Sequence, residues 1–177
     1  SAGVGHGTPI VFLHAFPLSS DMWQPQFEAL KNYRLLAPNF RGFGTTPLAS
    51  PWFIETAVDD VLETVPEQSV YVGLSMGGYV ALRLAQKAPQ RVRALVLCDT
   101  RAEADTNEQK MKRASSVEFV REQGVAAFVD PFLKDALAPE TWSRHSTVTD
   151  TIRAMANQAS AQAVMSALAA LAARGDM

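Results

Sequence analysis

Four short apolar runs punctuate the first hundred positions, each bounded by turn-forming or polar residues: Pro9–Leu13, Tyr33–Ala37, Ser69–Gly73 and Val92–Cys98. Their apolar character is nearly continuous rather than alternating, which suits strands covered on both faces, as in a parallel sheet. Between the runs the period changes. Ser19-Ser20-Asp21 can cap a helix reaching about Leu30, with Phe27 and Leu30 turned inward. Val58, Val61, Leu62 and Val65 fall at i, i+3, i+4 and i+7, while Asp59, Asp60 and Glu63 take the wet face. Gly77 to Lys87 reads as a third helix, stopped near Pro89. Alternation of strand and helix predicts an α/β fold, with right-handed crossovers placing helices on both sides of a parallel sheet.

The pattern changes after Asp99. From about Arg101 onward only helical periodicity is visible. Val125, Phe128 and Val129 form one stripe, and Pro131, directly after Asp130, is placed to start a new helix. Val164, Leu168 and Leu171 form another stripe in an Ala-rich stretch, where Ala favours helix. The chain therefore divides into an α/β part, residues 1–100, and an all-helical part, residues 101–177. Neither internal repeats nor a low-complexity linker separate them.

Composition narrows the class. Of 177 residues 47% are hydrophobic and 19% charged, which describes a globular chain with enough apolar material for a core. Its net charge of −2 gives no electrostatic reason to expect nucleic acid or an anionic membrane as partner. No apolar run approaches the roughly 20 residues needed to span a bilayer. Cys98, the single cysteine, excludes an internal disulfide, reads as a buried structural thiol within its apolar run, and fits a cytoplasmic location.

The chemistry concentrates at Gly73-Leu74-Ser75-Met76-Gly77-Gly78, which follows one expected strand and opens one expected helix. A sharp strand-to-helix turn of this kind holds a serine in a strained conformation and exposes its hydroxyl as a nucleophile. Gly73 and Gly77 flank the serine at minus two and plus two, where a side chain would collide with the neighbouring strand or helix. The helix N-terminus beside Ser75 brings backbone N–H groups and a positive dipole end to the reacting centre. No Gly-Lys-Ser/Thr follows, which disfavours a phosphate-binding loop.

Acyl transfer also needs donors for the developing oxyanion. The Met76 N–H, next after the serine, is one candidate. The other must come from the loop after the first strand, His14-Ala15-Phe16-Pro17, where the Phe16 N–H is the candidate and His14 shapes the loop by hydrogen bonding rather than acting as base.

Taken together, His14-Ala-Phe-Pro17, Ala37-Pro-Asn-Phe-Arg-Gly-Phe-Gly44, Gly73-Leu-Ser-Met-Gly-Gly78 and Leu97-Cys-Asp-Thr100 resemble the α/β-hydrolase superfamily, particularly small bacterial carboxylesterases and 3-oxoadipate enol-lactonases. Ala15 stands where the superfamily usually has Gly, and Asn39 where it has Asp; Asn39 remains a polar turn-former. The resemblance implies a partial α/β-hydrolase fold, parallel sheet and flanking helices in residues 1–100, with residues 101–177 as a helical cap. It implies a serine, acid and histidine triad, whose acid and base normally follow strands beyond those found here. The chain accordingly reads as the N-terminal core plus cap, needing a C-terminal segment, or self-association, to complete sheet and site.

The local substitutes are few. His6, His14 and His145 are the three histidines. His145 falls among the expected cap helices and His6 near a Gly-rich start, so neither is favoured as base. Asp99, ending the strand after the serine's own, occupies a position from which some superfamily members supply their acid; its plainer role is to cap the entry to the cap. Trp142, Phe128, Phe132 and the cap methionines are candidates for an apolar acyl pocket, with core packing the commoner role of each. No His/Cys/Asp cluster has metal-ligand spacing, and no cofactor is indicated. The expected function is a serine hydrolase acting on a small carboxylic ester or lactone through an acyl-enzyme at Ser75. The rivals are a C–C hydrolase or perhydrolase on the same scaffold, and a catalytically inactive binding or assembly module.

Overall fold

A computed structural model describes residues 5–65, 67–144 and 147–177. Strands β1 (His6–Leu13), β2 (Tyr33–Leu36), β3 (Ser69–Leu74) and β4 (Val92–Cys98) form one parallel sheet in the order β2-β1-β3-β4. Leu13 pairs with Gly73 and Leu74 with Cys98, so the C-terminal ends of the central strands lie level. The α/β class read from the sequence is the one that forms.

Alternate residues of each strand face opposite ways. Val11, Leu13 and Tyr71 pack with α2 (Ile54–Thr64) and α3 (Met76–Lys87), through Val58, Val61, Val80 and Leu84. Phe12, Leu35 and Ala37 face the other way, onto Trp23 and the short helix α1 (Gln24–Ala29), with Phe27, Leu30 and Val72 beside them. The Ser19 side chain caps the preceding 3-10 turn, Ser20–Trp23, so the expected single helix is a turn plus a helix starting at Gln24.

β4 departs from the expected two-sided burial. Val96 is 46% and Leu97 44% exposed, and Cys98 is half-buried rather than enclosed. The reason is position: β4 is the sheet edge, and among the described residues nothing covers its outer side.

Beyond Asp99 only helices are described: α4 (Asn107–Ala136), α5 (Pro139–Ser143), α6 (Thr147–Ala156) and α7 (Ala161–Ala173). Thr106 and Gln109 start α4 with a reciprocal capping pair: the Gln109 N–H donates to Thr106 Oγ1 at 3.3 Å, and the Thr106 N–H to Gln109 Oε1 at 2.9 Å. The break expected at Pro131 forms instead at Gly124, where φ is 81°. Left-handed backbone is cheap only for glycine, so the chain turns there, and Pro131 is carried inside the next helical stretch with one amide donor missing. Helix α7 runs back against the core, where its Ser166 hydroxyl accepts the Trp52 N–H at 2.7 Å. Among the described residues no helix is long and apolar enough to cross a membrane.

The segment entering the helices is tied to the segment leaving α7. Buried Asp105 accepts from Arg101 at 2.8 Å, Arg113 at 2.5 Å and Arg174 at 2.8 Å. The Met177 N–H donates to the Ala102 carbonyl at 2.9 Å, and the Ala104 N–H to Asp176 Oδ1 at 2.6 Å. The Arg174 guanidinium also lies 4.0 Å above the Tyr79 ring, joining this cluster to α3.

Candidate active site

The strand order creates the site's location. After β1 the chain departs through α1 to β2, and after β3 through α3 to β4, on the opposite side. Two neighbouring parallel strands whose connections diverge leave a crevice outside their C-terminal ends. His14–Pro17 follows β1 into this crevice, and Ser75 follows β3.

Ser75 has φ 50° and ψ −111°, a left-handed backbone uncommon for a side chain larger than glycine's. The surroundings hold it there. Its N–H donates to the Cys98 carbonyl at 3.0 Å, continuing the β3–β4 ladder by one residue. Its carbonyl accepts from the N–H groups of Gly78 and Tyr79 and from the Thr100 hydroxyl, at 2.9, 3.2 and 3.0 Å. The glycines supply the clearance. A Cβ on Gly73 would lie 2.5 Å from the Gly77 carbonyl oxygen, and one on Gly77 would run into the Leu13 carbonyl. A Cβ on Gly78 would lie 2.5 Å from Thr100. The strand, turn and helix thus pack with no room for side chains on either side of the serine.

On the β1 side, His14 is fully buried. Its Nε2 accepts the Phe40 N–H at 3.0 Å, and its Nδ1 lies 3.0 Å from the Ala15 carbonyl. Nε2 therefore carries the lone pair and Nδ1 the hydrogen, which Ala15 accepts. Burial lowers the pKa of the ring to about 4, while the Ala15 bond acts in the opposite sense. A neutral ring with both nitrogens occupied fixes the loop and has no lone pair to offer Ser75. The Ala15 N–H is held at 3.2 Å by the Met22 sulfur, and Asn39 Oδ1 takes the Ser20 N–H at 2.6 Å. Among the described residues no protein acceptor takes the N–H of Phe16 or Met76.

Ser75 opens into a cavity of about 630 Å³ whose surface is mainly apolar. Leu18, Met22 and Phe16 wall it from the β1 side; Phe132, Leu133, Ile152 and Met155 roof it from α4 and α6. Of the aromatic residues considered from sequence, Phe132 reaches this cavity. Phe128 packs into the core beside it, and Trp142 lies off the wall, with the Arg153 guanidinium 5.6 Å from its ring. Met22 and Leu18 were not legible as wall residues, because in sequence they look like ordinary packing positions.

Asp99 has φ 41° and lines the same cavity. It does not cap the following helix, a task that falls to Thr106, and among the described residues it has no hydrogen-bond or ion-pair partner. His6 begins β1, at the end of the sheet remote from Ser75. His145 lies outside the described residues.

A family described as the alpha/beta hydrolase fold matches residues 8–160. The chain belongs to that family. Over 93 residues it is 37% identical to a pimeloyl-[acyl-carrier protein] methyl ester esterase of Legionella pneumophila, a match covering 52% of this chain and 38% of that protein. A thermophilic esterase from Thermogutta terrifontis superposes with a TM-score of 0.90 at 34% identity, covering 99% of this chain and 67% of that one. The enol-lactonase from Burkholderia xenovorans LB400 superposes with a TM-score of 0.85 at 27% identity, covering 96% and 66%. The chain thus spans well under half of the first relative and about two thirds of the two structures.

Proposed function

We propose that this chain carries the acyl-binding part of a serine hydrolase that cleaves a carboxylic ester or lactone. The observation carrying this reading is Ser75, held at positive φ in the lining of an apolar cavity, with two unengaged backbone donors beside it, one in the loop after β1 and one at the first residue of α3. In the proposed reaction Ser75 Oγ attacks the substrate carbonyl carbon as its proton passes to a base. The Phe16 and Met76 N–H groups take the oxyanion, whose charge the α3 N-terminus also favours. Collapse of the tetrahedral intermediate expels the alcohol, protonated by the same base, and leaves an acyl-enzyme. Water then repeats the sequence and frees the acid.

The base and its acid partner are proposed to come from a further polypeptide segment that also covers β4. Two findings support this. His14 is neutral with both nitrogens engaged, and the relatives are longer than the span matched here. Residues 101–177 are proposed to act as a cap, with α4 and α6 as its roof and α7 as its anchor. A short-chain p-nitrophenyl ester assay on the full-length protein tests the reading, with Ser75→Ala as control. Turnover lost in the variant is expected; absence of turnover in the intact protein would favour a binding module instead.

A further inference from the structure

The walls of the Ser75 cavity are apolar, but its ionisable residues are all of one sign. Asp21, Glu28, Asp99 and Asp135 line it, and among the described residues no Lys, Arg or His does. These carboxylates come from separate places in the chain: the turn before α1, α1 itself, the end of β4 and the end of α4. None is neutralised by an ion pair with a described residue, and only Glu28 has a side-chain hydrogen bond, from Gln24 Nε2 at 3.2 Å. By contrast Asp59, Asp60, Asp105, Asp130 and Asp150 elsewhere on the molecule all face a Lys or Arg. Four carboxylates without an ion pair thus meet around the cavity that Ser75 lines, although other unpaired acidic groups lie elsewhere on the surface.

Two sources of positive potential oppose them. The α3 N-terminus lies beneath Ser75, where it serves the reacting carbonyl rather than the far end of a substrate. The α6 N-terminus also meets the cavity at Thr147, but Asp150 occupies its first turn. All four side chains are exposed, so their like charges add around an open cavity, most strongly at low salt, and are screened beyond about 8 Å at physiological salt.

We propose that this cavity selects against acyl groups bearing a second, negatively charged end, so that its substrates are neutral or cationic esters with an apolar acyl chain. This deepens the hydrolase reading above and rests on the substrate occupying the Ser75 cavity. It separates the chain's substrates from dicarboxylic half-esters and carboxylate-bearing lactones, which a site with a cationic wall residue would accept.

Binding measured without turnover provides the test. The Ser75→Ala variant of the full-length protein is titrated, by ligand-observed NMR, with three methyl esters of the same acyl length. These are methyl hexanoate, monomethyl adipate with its free carboxylate, and methyl 6-(trimethylammonio)hexanoate. At about 20 mM ionic strength the anionic ester should bind roughly tenfold more weakly than the neutral one, and the cationic ester at least as well as the neutral one. About 0.5 M NaCl, or the double substitution Asp21→Asn with Asp135→Asn, should close most of that gap. Equal or tighter binding of monomethyl adipate overturns the proposal, as does a gap that neither salt nor the double substitution changes. The hydrolase reading fails separately. Charge discrimination without ester turnover in the native protein would sink that reading alone, whereas turnover without discrimination would sink this one alone.

Discussion

The Phe40 amide donates to Nε2 of His14 at 3.0 Å, tying the loop after β2 to the loop after β1 through a ring with no exposed atom. The ring is neutral in the folded protein, with its pKa lowered from 6.5 to about 4 by burial. Between those values the unfolded chain binds a proton that the native protein does not, so stability falls as pH falls. The contribution is fully present above about pH 6.5 and is lost as pH drops through about 4, up to roughly 3 kcal/mol in all. Urea unfolding at pH 7.5, 6 and 5 should show the decline; His14→Asn, which cannot titrate, should flatten it.

Ser75 combines reactivity with strain, and two substitutions separate them. Ser75→Ala should leave the fold intact and lower ester turnover of the full-length protein by on the order of 10⁴-fold or more. Ser75→Gly removes the same hydroxyl but relaxes the backbone at φ 50°. It should raise unfolding free energy by about 1 kcal/mol, read from the denaturation midpoint at unchanged m-value.

How much of this was legible in the sequence depended on whether the deciding contact was local. Val92–Cys98 was read to the residue because a strand's apolar run is a local property, and the Ser75 turn because its glycines sit within two or three residues of the serine. The helix break was misplaced because Gly124 and Pro131 both signal interruption and only the backbone says which one turned. The apolar run of β4 alone predicts burial on both faces; the exposure of Val96 and Leu97 goes with the uncompleted sheet, because burial of a strand depends on what lies beside it and not on its own residues. In the cavity, Met22 and Met155 lie far apart in the chain and meet only because the 3-10 turn before α1 and the end of α6 pack into one cluster. The four carboxylates around them share no spacing at all.

Gly77 has no tolerance for a methyl group, because the new carbon would run into the Leu13 backbone carbonyl rather than a movable side chain. Gly77→Ala should therefore cost on the order of 3 kcal/mol or more, since β1 and α3 must separate to admit it. The comparison is Gly175→Ala, whose Cβ meets nothing within 4 Å and which should leave the thermal midpoint nearly unchanged.

Asp105 is the anionic centre of a group of three arginines. Burial pushes its carboxyl up, but bonds from Arg113 and Arg101 and the charge of Arg174 outweigh that and hold it below the usual carboxylate range. Asp105→Asn leaves those cations without their counter-charge and should destabilise the protein by about 3–5 kcal/mol. Denaturant unfolding measures the loss. Pairing it with Arg174→Met should recover part of it, since one buried charge is then removed along with its partner.

The bonds that join residues 102–105 to 174–177 have a topological consequence. A stretch of some seventy residues enters and leaves at one point, so its two ends occupy a space no wider than a tight turn. To the sheet, that whole excursion is equivalent to a short connection after β4. The loops between its helices can lengthen without moving any strand, provided the stem stays closed and α7 keeps its place in the core.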